Sequence, residues 1–399
     1  MNPWQEMKKA LDEMEAADLR RRPMTLESAC GPYVAIGGRR VLCLCSNDYL
    51  GLANDPAVKA AAIEAIGRWG VGAGASRLVS GTSRLHVELE RRLAAFEGAE
   101  AAVLANTGYV ANHLAITALA GAGDLILGDK LNHASIVDAA MFSGARYRTY
   151  PHGSLERLQG LLVRHRGKHR RCLIVTDSLF SMDGDVAPLR EMAELKKRFD
   201  AQLLIDEAHA TGVLGNGGKG AAELLGVEED IDVTVGTLSK AVGALGGFIA
   251  GPEVLIDTIR NAGRAYVFTT ALPPAICAAA IAALEIIRNE PQRRQRLLRM
   301  AENLRQRLNR AGLDTGESVS QIIPILIGRA GDAVRASQGL FEQGFFVPAI
   351  RPPTVPRGTS RLRVSLSAVH DQNDLDRFAK AVSPLLPGEG RPQADRPGV

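Results

Sequence analysis

Short apolar runs recur between about residues 100 and 250, separated by stretches whose apolar positions repeat with helical spacing. The runs Ala101 to Ala105, Leu125 to Leu127, Cys172 to Thr176, Leu203 to Ile205, Asp232 to Val235 and Gly247 to Ala250 predict strands. Uninterrupted apolar runs suit strands covered on both faces, and their alternation with helices predicts an α/β fold with a largely parallel sheet. Upstream, Met7, Leu11, Met14 and Leu19 predict an amphipathic lead helix over 6–20, and 33–45 alternates like short strands around Gly37-Gly38. Downstream, a long charged helix is predicted from Leu284 to Ala311. Strands over Gln321 to Ile327 and Ser360 to Ser367 and a closing helix from Asp371 to Leu386 then predict a smaller α+β domain. The resulting division is 1–47 for the lead helix and short strands, 48–285 for the large domain and 286–386 for the small one. The tail 387–399, rich in proline, glycine and charge, is expected to be disordered. No internal repeat is visible.

Composition adds limits. A chain of 399 residues, 46% hydrophobic and 23% charged, is an ordinary globular protein long enough for two domains. Basic residues gather at 20–22, 164–171 and 293–299, but aromatic residues are only 5%, so the pattern reads as solvated faces and not as a nucleic-acid site. Five cysteines, an odd number, argue against a disulfide framework, and none has a partner at zinc-ligand spacing. Cys43 and Cys45 straddle Leu44 in a short apolar stretch. The charged start lacks a signal-peptide core, and the longest uncharged helical stretch, Pro273 to Leu284, is far short of the ~20 residues that span a bilayer. A reduced, cytoplasmic protein without metal or membrane span is expected.

Chemistry concentrates after the apolar runs. Asp206-Glu207-Ala208-His209 follows one run and Thr237-Leu238-Ser239-Lys240 another. Doubly wound proteins hold ligands at the carboxyl ends of their parallel strands, so an acid, an imidazole and an amine are expected over one crevice. Although a single lysine after a strand is most often only solvated, this set suits pyridoxal phosphate: a lysine for a Schiff base and a carboxylate for the pyridine nitrogen. Asp206 to His209 also spells a helicase tag. The phosphate loop that reading needs is missing, because Gly212 to Gly220 misplaces the lysine and has Gly220 where a hydroxyl must stand.

Asn106-Thr107-Gly108-Tyr109 opens a helix after a strand, a place where backbone amides bind phosphate. His133, in Asn132-His133-Ala134-Ser135, stands after another strand run, and Ser181 precedes the turn-forming Asp183-Gly184. The glycine-rich Gly70 to Gly81 follows a helical pattern, which excludes a Rossmann fingerprint and suggests a close-approach loop.

Taken in order, these segments resemble the α-oxoamine synthases, fold-type I pyridoxal phosphate enzymes that condense an amino acid with an acyl thioester. The similarity adds Ser46-Asn47-Asp48-Tyr49-Leu50-Gly51-Leu52 and covers residues 4 to 385. It implies that Lys240 forms the Schiff base and acts as base, Asp206 pairs with the pyridine nitrogen, and His133 stacks on the ring. It further assigns His209 and Ser181 to the phenolic oxygen, and Gly108, Tyr109 and Thr237 to the phosphate. Thr269 and Thr270 would reach that phosphate from the other subunit of a homodimer. Arg363 matches the arginine for the amino-acid carboxylate, with Arg20, Asn47 and Thr354 near the substrate and Arg351 close by. The run Ala349 to Pro356 and the opening Trp4-Gln5-Glu6 are most similar to members that join L-alanine to pimeloyl-CoA or a pimeloyl-carrier protein. Members using glycine or serine are the alternative, and a non-catalytic partner subunit is a second one that Lys240 argues against. Glu207, where relatives often carry aspartate, and Ala75, where glycine is frequent, depart from the pattern.

Overall fold

A computed structural model describes residues 2–385, so the tail expected to be disordered lies outside the described residues. The strands are β1 (Tyr33–Ile36), β2 (Arg39–Cys43), β3 (Ala101–Ala105), β4 (Leu125–Asp129), β5 (Arg146–Tyr150), β6 (Cys172–Asp177) and β7 (Gln202–Asp206). They continue with β8 (Val233–Thr237), β9 (Gly247–Gly251), β10 (Ile322–Gly328), β11 (Phe345–Phe346), β12 (Ala349–Ile350) and β13 (Ser360–Ser365). Two compact units form: the larger takes Leu50–Ser181 and Val186–Gln295, and the smaller takes the N-terminal residues to Tyr49, Met182–Asp185 and the chain from Arg296.

The larger unit holds one sheet of order β3-β9-β8-β7-β6-β4-β5. The run from β8 to β5 is parallel, and β9 is antiparallel to both its neighbours. The wholly buried β4 and β6 explain the uninterrupted apolar runs. Chain order departs in opposite directions from the β4–β6 pair, so the topological switch point lies at their carboxyl ends. Ile126, Leu173, Val175, Leu204 and Val235 form a core with Leu114, Ile116 and Ile136 from the helices Gly108–Leu119 and Ala134–Phe142.

In the smaller unit β1 and β2 form a hairpin whose turn residues Gly37 and Gly38 have φ of 56° and 71°. Two successive positive φ angles are what a tight hairpin turn requires. Here β11 adds to β2, while β10, β13 and β12 form a second sheet.

Three expectations need correction. The single helix over 284–311 is two, Pro274–Asn289 and Pro291–Arg310, because Pro291 has no N–H for the first helix and a preset φ for the start of the second. The lead helix runs Pro3–Ala16, capped by Asn2, and stops where Asp18 turns left-handed at φ 57°. The closing helix ends at Val382 and gives way to a short 3-10 turn, Ser383–Leu385. No helix among the described residues is long and apolar enough to cross a membrane.

His370 ties the smaller unit together. Its Nδ1 accepts from the Ser367 N–H at 3.0 Å, so its Nε2–H donates to the Cys43 carbonyl at 3.0 Å. Burial holds its pKa down to about 4. Between that value and the unfolded value of about 6.5, the unfolded chain carries a proton that the folded one excludes. Stability is therefore full above the unfolded pKa and falls as pH drops toward 4. Between pH 7 and pH 5 the loss should be about 2 kcal/mol. Urea titrations at both pH values should show this drop in the wild type and a smaller one in His370→Gln.

Candidate active site

The larger unit gathers its polar groups at the carboxyl edge of the sheet. Asp206 ends β7 and is buried, 4% exposed. Asn112, on the helix Gly108–Leu119, donates to Asp206 Oδ2 at 2.6 Å, and the Ala208 N–H donates to Oδ1 at 2.8 Å. A buried carboxylate needs such donors, since an uncompensated one costs several kcal/mol.

The same Asn112 amide donates to Ser135 Oγ at 2.9 Å, and Ser135 Oγ lies 2.7 Å from His133 Nδ1. A continuous hydrogen-bonded chain thus joins Asp206 to His133. His133 caps the helix Ala134–Phe142, and its own N–H donates to Asp177 Oδ2 at 2.6 Å. Asp177, the last residue of β6, is pushed well up by burial and then by the Asp206 charge. Burial pushes His133 down, and its ring lies 6.4 Å from that of Tyr109, edge to face. Lys240 is three residues past β8, and its charge acts on both His133 and Asp177.

Gly212 brings the two sequence motifs together. With φ at 83°, a Cβ there would lie 2.9 Å from the Ala241 Cβ, so the turn after Asp206 packs against the residue following Lys240. His209 is buried within that turn and Ser181 is half-buried. Glu207 does different work from its neighbours. Its carboxylate accepts the N–H groups of Ala221 and Ala222, each at 2.9 Å, and the Ser178 hydroxyl. Burial pushes it up to about 7. This helix-capping duty gives the glutamate that departs from the family pattern a structural role of its own.

Glycines bring the backbone close together at the start of the helix Gly108–Leu119. Thr107 caps it, accepting from the Val110 N–H at 3.2 Å, while the first-turn amides have no partner within the helix itself. A Cβ at Gly108 would approach the Thr237 Cβ to 3.3 Å, and one at Gly247 would strike the Thr107 carbonyl at 2.4 Å. Thr237 Oγ1 in turn donates to the Gly246 carbonyl at 2.8 Å. Tyr109 is half-exposed and its hydroxyl donates to Asp138. Thr270 pairs with Ser76 and accepts from Asn106 Nδ2 at 2.8 Å within the same chain, with Thr269 beside it.

In the smaller unit Arg363, on β13, donates to Ser365 Oγ at 2.8 Å, Asn47 Oδ1 at 3.2 Å and the Tyr49 hydroxyl at 3.4 Å. Arg21 reaches the same segment: its Nη2 donates to Thr354 Oγ1 at 3.3 Å and to the Arg351 carbonyl at 3.3 Å. Arg20 pairs with Glu15 at 3.5 Å, and Arg351 donates to the Asp18 and Arg20 carbonyls.

Sequence reasoning missed Asn112, Ser135, Asp177 and Arg21. The only trace of Asn112 is one polar residue on an otherwise apolar helix face.

The residues of the larger unit fit pyridoxal phosphate. A glycine-lined helix start suits the phosphate, a buried carboxylate with fixed donors suits a pyridinium, and an amine stands at the same sheet edge. A family model described as aminotransferase class I and II matches residues 39–382. The chain is 51% identical over 377 residues to an 8-amino-7-oxononanoate synthase of Anaeromyxobacter dehalogenans, covering 94% of each chain. It is 48% identical over 375 residues to the synthase of that name from Geobacter sulfurreducens, covering 94% of this chain and 96% of the relative. Among solved structures it is similar to Sphingomonas wittichii serine palmitoyltransferase, with 34% identity, a TM-score of 0.90 and 96% of each chain covered. The 8-amino-7-oxononanoate synthase of Francisella tularensis matches with 27% identity and a TM-score of 0.76, covering 86% of this chain and 97% of that one.

Asn112→Leu should cost about 1.5–3 kcal/mol of stability, because Asp206 loses a donor to a charged group. Ser135→Ala should cost less, about 1 kcal/mol. Urea unfolding measures both, and equal midpoints for wild type and Asn112→Leu would contradict the chain of hydrogen bonds.

Proposed function

The chain belongs to the aminotransferase class I and II family, and from that premise we propose that it makes 8-amino-7-oxononanoate for biotin biosynthesis. It is a pyridoxal phosphate-dependent acyltransferase that condenses L-alanine with a pimeloyl thioester, carried by coenzyme A or by a carrier protein. The observation that carries this reading is near-full-length similarity, at about half identity, to synthases of that name. In the net reaction the alanine Cα forms a bond to the thioester carbonyl carbon, the thiol leaves, and the alanine carboxyl departs as carbon dioxide.

When bound, pyridoxal phosphate supplies an electron sink for negative charge at the amino-acid Cα. The protein supplies the rest. Asp206, fixed by Asn112 and the Ala208 amide, holds the proton on the pyridine nitrogen. Lys240 binds the cofactor and takes the Cα proton. His133 stacks on the ring, its orientation held by Ser135 and by the Asp177 bond to its amide. His209 and Ser181 bond the phenolic oxygen, and Gly108, Tyr109 and Thr237 hold the phosphate. Arg363, braced by Asn47 and Tyr49, takes the alanine carboxylate, with Arg20, Arg351 and Thr354 serving the substrate.

The working form in this reading is a cytoplasmic homodimer in which Thr269 and Thr270 serve the partner's phosphate. Val71, Val79 and Phe268, exposed at 79%, 79% and 72%, support a covered face beside those threonines.

Purified protein given L-alanine and pimeloyl-CoA should release free thiol and carbon dioxide, with glycine and serine turned over far less. Preferred turnover of glycine or serine would move the chain to a sister activity. Lys240→Ala should lower turnover by roughly 10²–10⁴-fold, the contribution of a positioned base. Arg363→Ala should raise the KM for alanine by roughly 30-fold or more, as loss of a buried charged partner does.

A further inference from the structure

We propose that Cys43 and Cys45 form a two-thiol binding site for trivalent arsenicals, and that its occupation loosens the amino-acid arginine Arg363. The extended chain continues past Cys43: the Leu44 N–H donates to the Phe346 carbonyl at 3.1 Å, and the Leu44 carbonyl accepts from the Ser365 N–H at 2.8 Å. Residues two apart on extended chain share a face, and the two Sγ atoms stand 3.8 Å apart. Cys43 is buried with Val34, Ile36 and Val41, whereas Cys45 is only part-buried, so a reagent meets Cys45 first.

The class of ligand follows from geometry. No three cysteine, histidine or acidic groups among the described residues are placed to hold a metal ion, so the ligand must be satisfied by two sulfurs. A disulfide fits poorly. Residues two apart on a strand lie about 6.6 Å apart at Cα, near the ~6.8 Å limit for that bond. The backbone also cannot easily shorten that span. The Cys43 N–H donates to the Pro32 carbonyl at 2.8 Å, and the Cys43 carbonyl accepts from His370 at 3.0 Å. An arsenic atom bridges two sulfurs without bringing them into bonding contact.

In the reaction of an arsenoxide, two As–S bonds form and the arsenic–oxygen bond breaks. The two thiol protons leave with the oxygen as water, and arsenic keeps its oxidation state. The hydrogen bond the two thiols share holds Cys43 down and, together with burial, pushes Cys45 up, so the pair gives up its first proton as a unit. Cys172 and Cys277 are buried, and burial pushes both up to about 12.

The site is coupled to Arg363 through a short piece of chain. Cys45 leads within two residues to Asn47 and within four to Tyr49, both hydrogen-bonded to the Arg363 guanidinium. The Arg363 charge also acts directly on the Cys45 thiol. An adduct at Cys45 displaces that chain and with it the arginine's brace. This consequence rests on the proposed role of Arg363; the existence of the site does not.

The test treats the holoenzyme with phenylarsine oxide and follows intact mass, thiol count and alanine kinetics. One adduct per chain is expected, with two thiols lost and both restored by 2,3-dimercaptopropanol. The alanine KM should rise roughly tenfold with kcat little changed, the pattern of lost ground-state binding. Cys43→Ala and Cys45→Ser should each keep turnover and lose the adduct, while Cys30→Ala keeps it. Absence of an adduct in the wild type, or its persistence in Cys45→Ser, overturns the site. An adduct that leaves the alanine KM unchanged overturns the coupling. An untreated enzyme inactive toward alanine would count against the substrate reading instead, and intact mass would still decide the site.

Discussion

The larger unit depends on one buried negative charge. Asp206 ends a strand that is flanked by β6 and β8 and is buried, so its carboxylate is cut off from bulk water. A charge in that position is tolerated only where fixed donors replace its hydration. Asn112 and the Ala208 amide provide them from opposite sides, one from the preceding helical layer and one from the chain just past the strand. The carboxylate is thereby oriented before any ligand arrives. Preorganisation of this kind makes an acidic group effective toward a pyridinium, because little reorganisation is left to perform on binding.

That constraint spreads. Asn112 has two amide hydrogens, and the second goes to Ser135, whose hydroxyl faces His133 Nδ1. The Asp206 carboxylate and the His133 ring are therefore linked through a single amide. Asp177 then fixes the His133 backbone from the neighbouring strand. Both His133 and Asp177 stand at the switch point of the sheet, where chain connections diverge and leave a crevice. Topology supplies the opening, and hydrogen bonding determines which side chains face it.

The central strands were legible because burial on both faces writes a continuous apolar run, as in Cys172–Asp177 and Gln202–Asp206. β5 was not. Its sequence Arg-Tyr-Arg-Thr-Tyr belongs to an edge strand with mixed exposure, and it carries no apolar run. The break at Pro291 was hidden by a helical periodicity that continues across it. Lys240, Asp206, His209 and His133 stood out as polar groups after apolar strands. Asn112 did not, since its partner lies 94 positions away in the chain. Ordered motifs can name a set of reactive side chains, but the groups that orient them are visible only once the helix is laid on the sheet.

The smaller unit solves a similar problem for a positive charge. Arg363 is buried at 6% exposure in the middle strand of its sheet, between β10 and β12. Its guanidinium donates to a serine on its own strand and to Asn47 and Tyr49 from the chain that leaves β2. All three of these partners are neutral oxygens, and together they fix the plane of the guanidinium. The brace, however, comes from the short stretch of chain just past β2 that also carries Cys45, two residues beyond Cys43 at the strand's end, so whatever moves that stretch moves the arginine's partners.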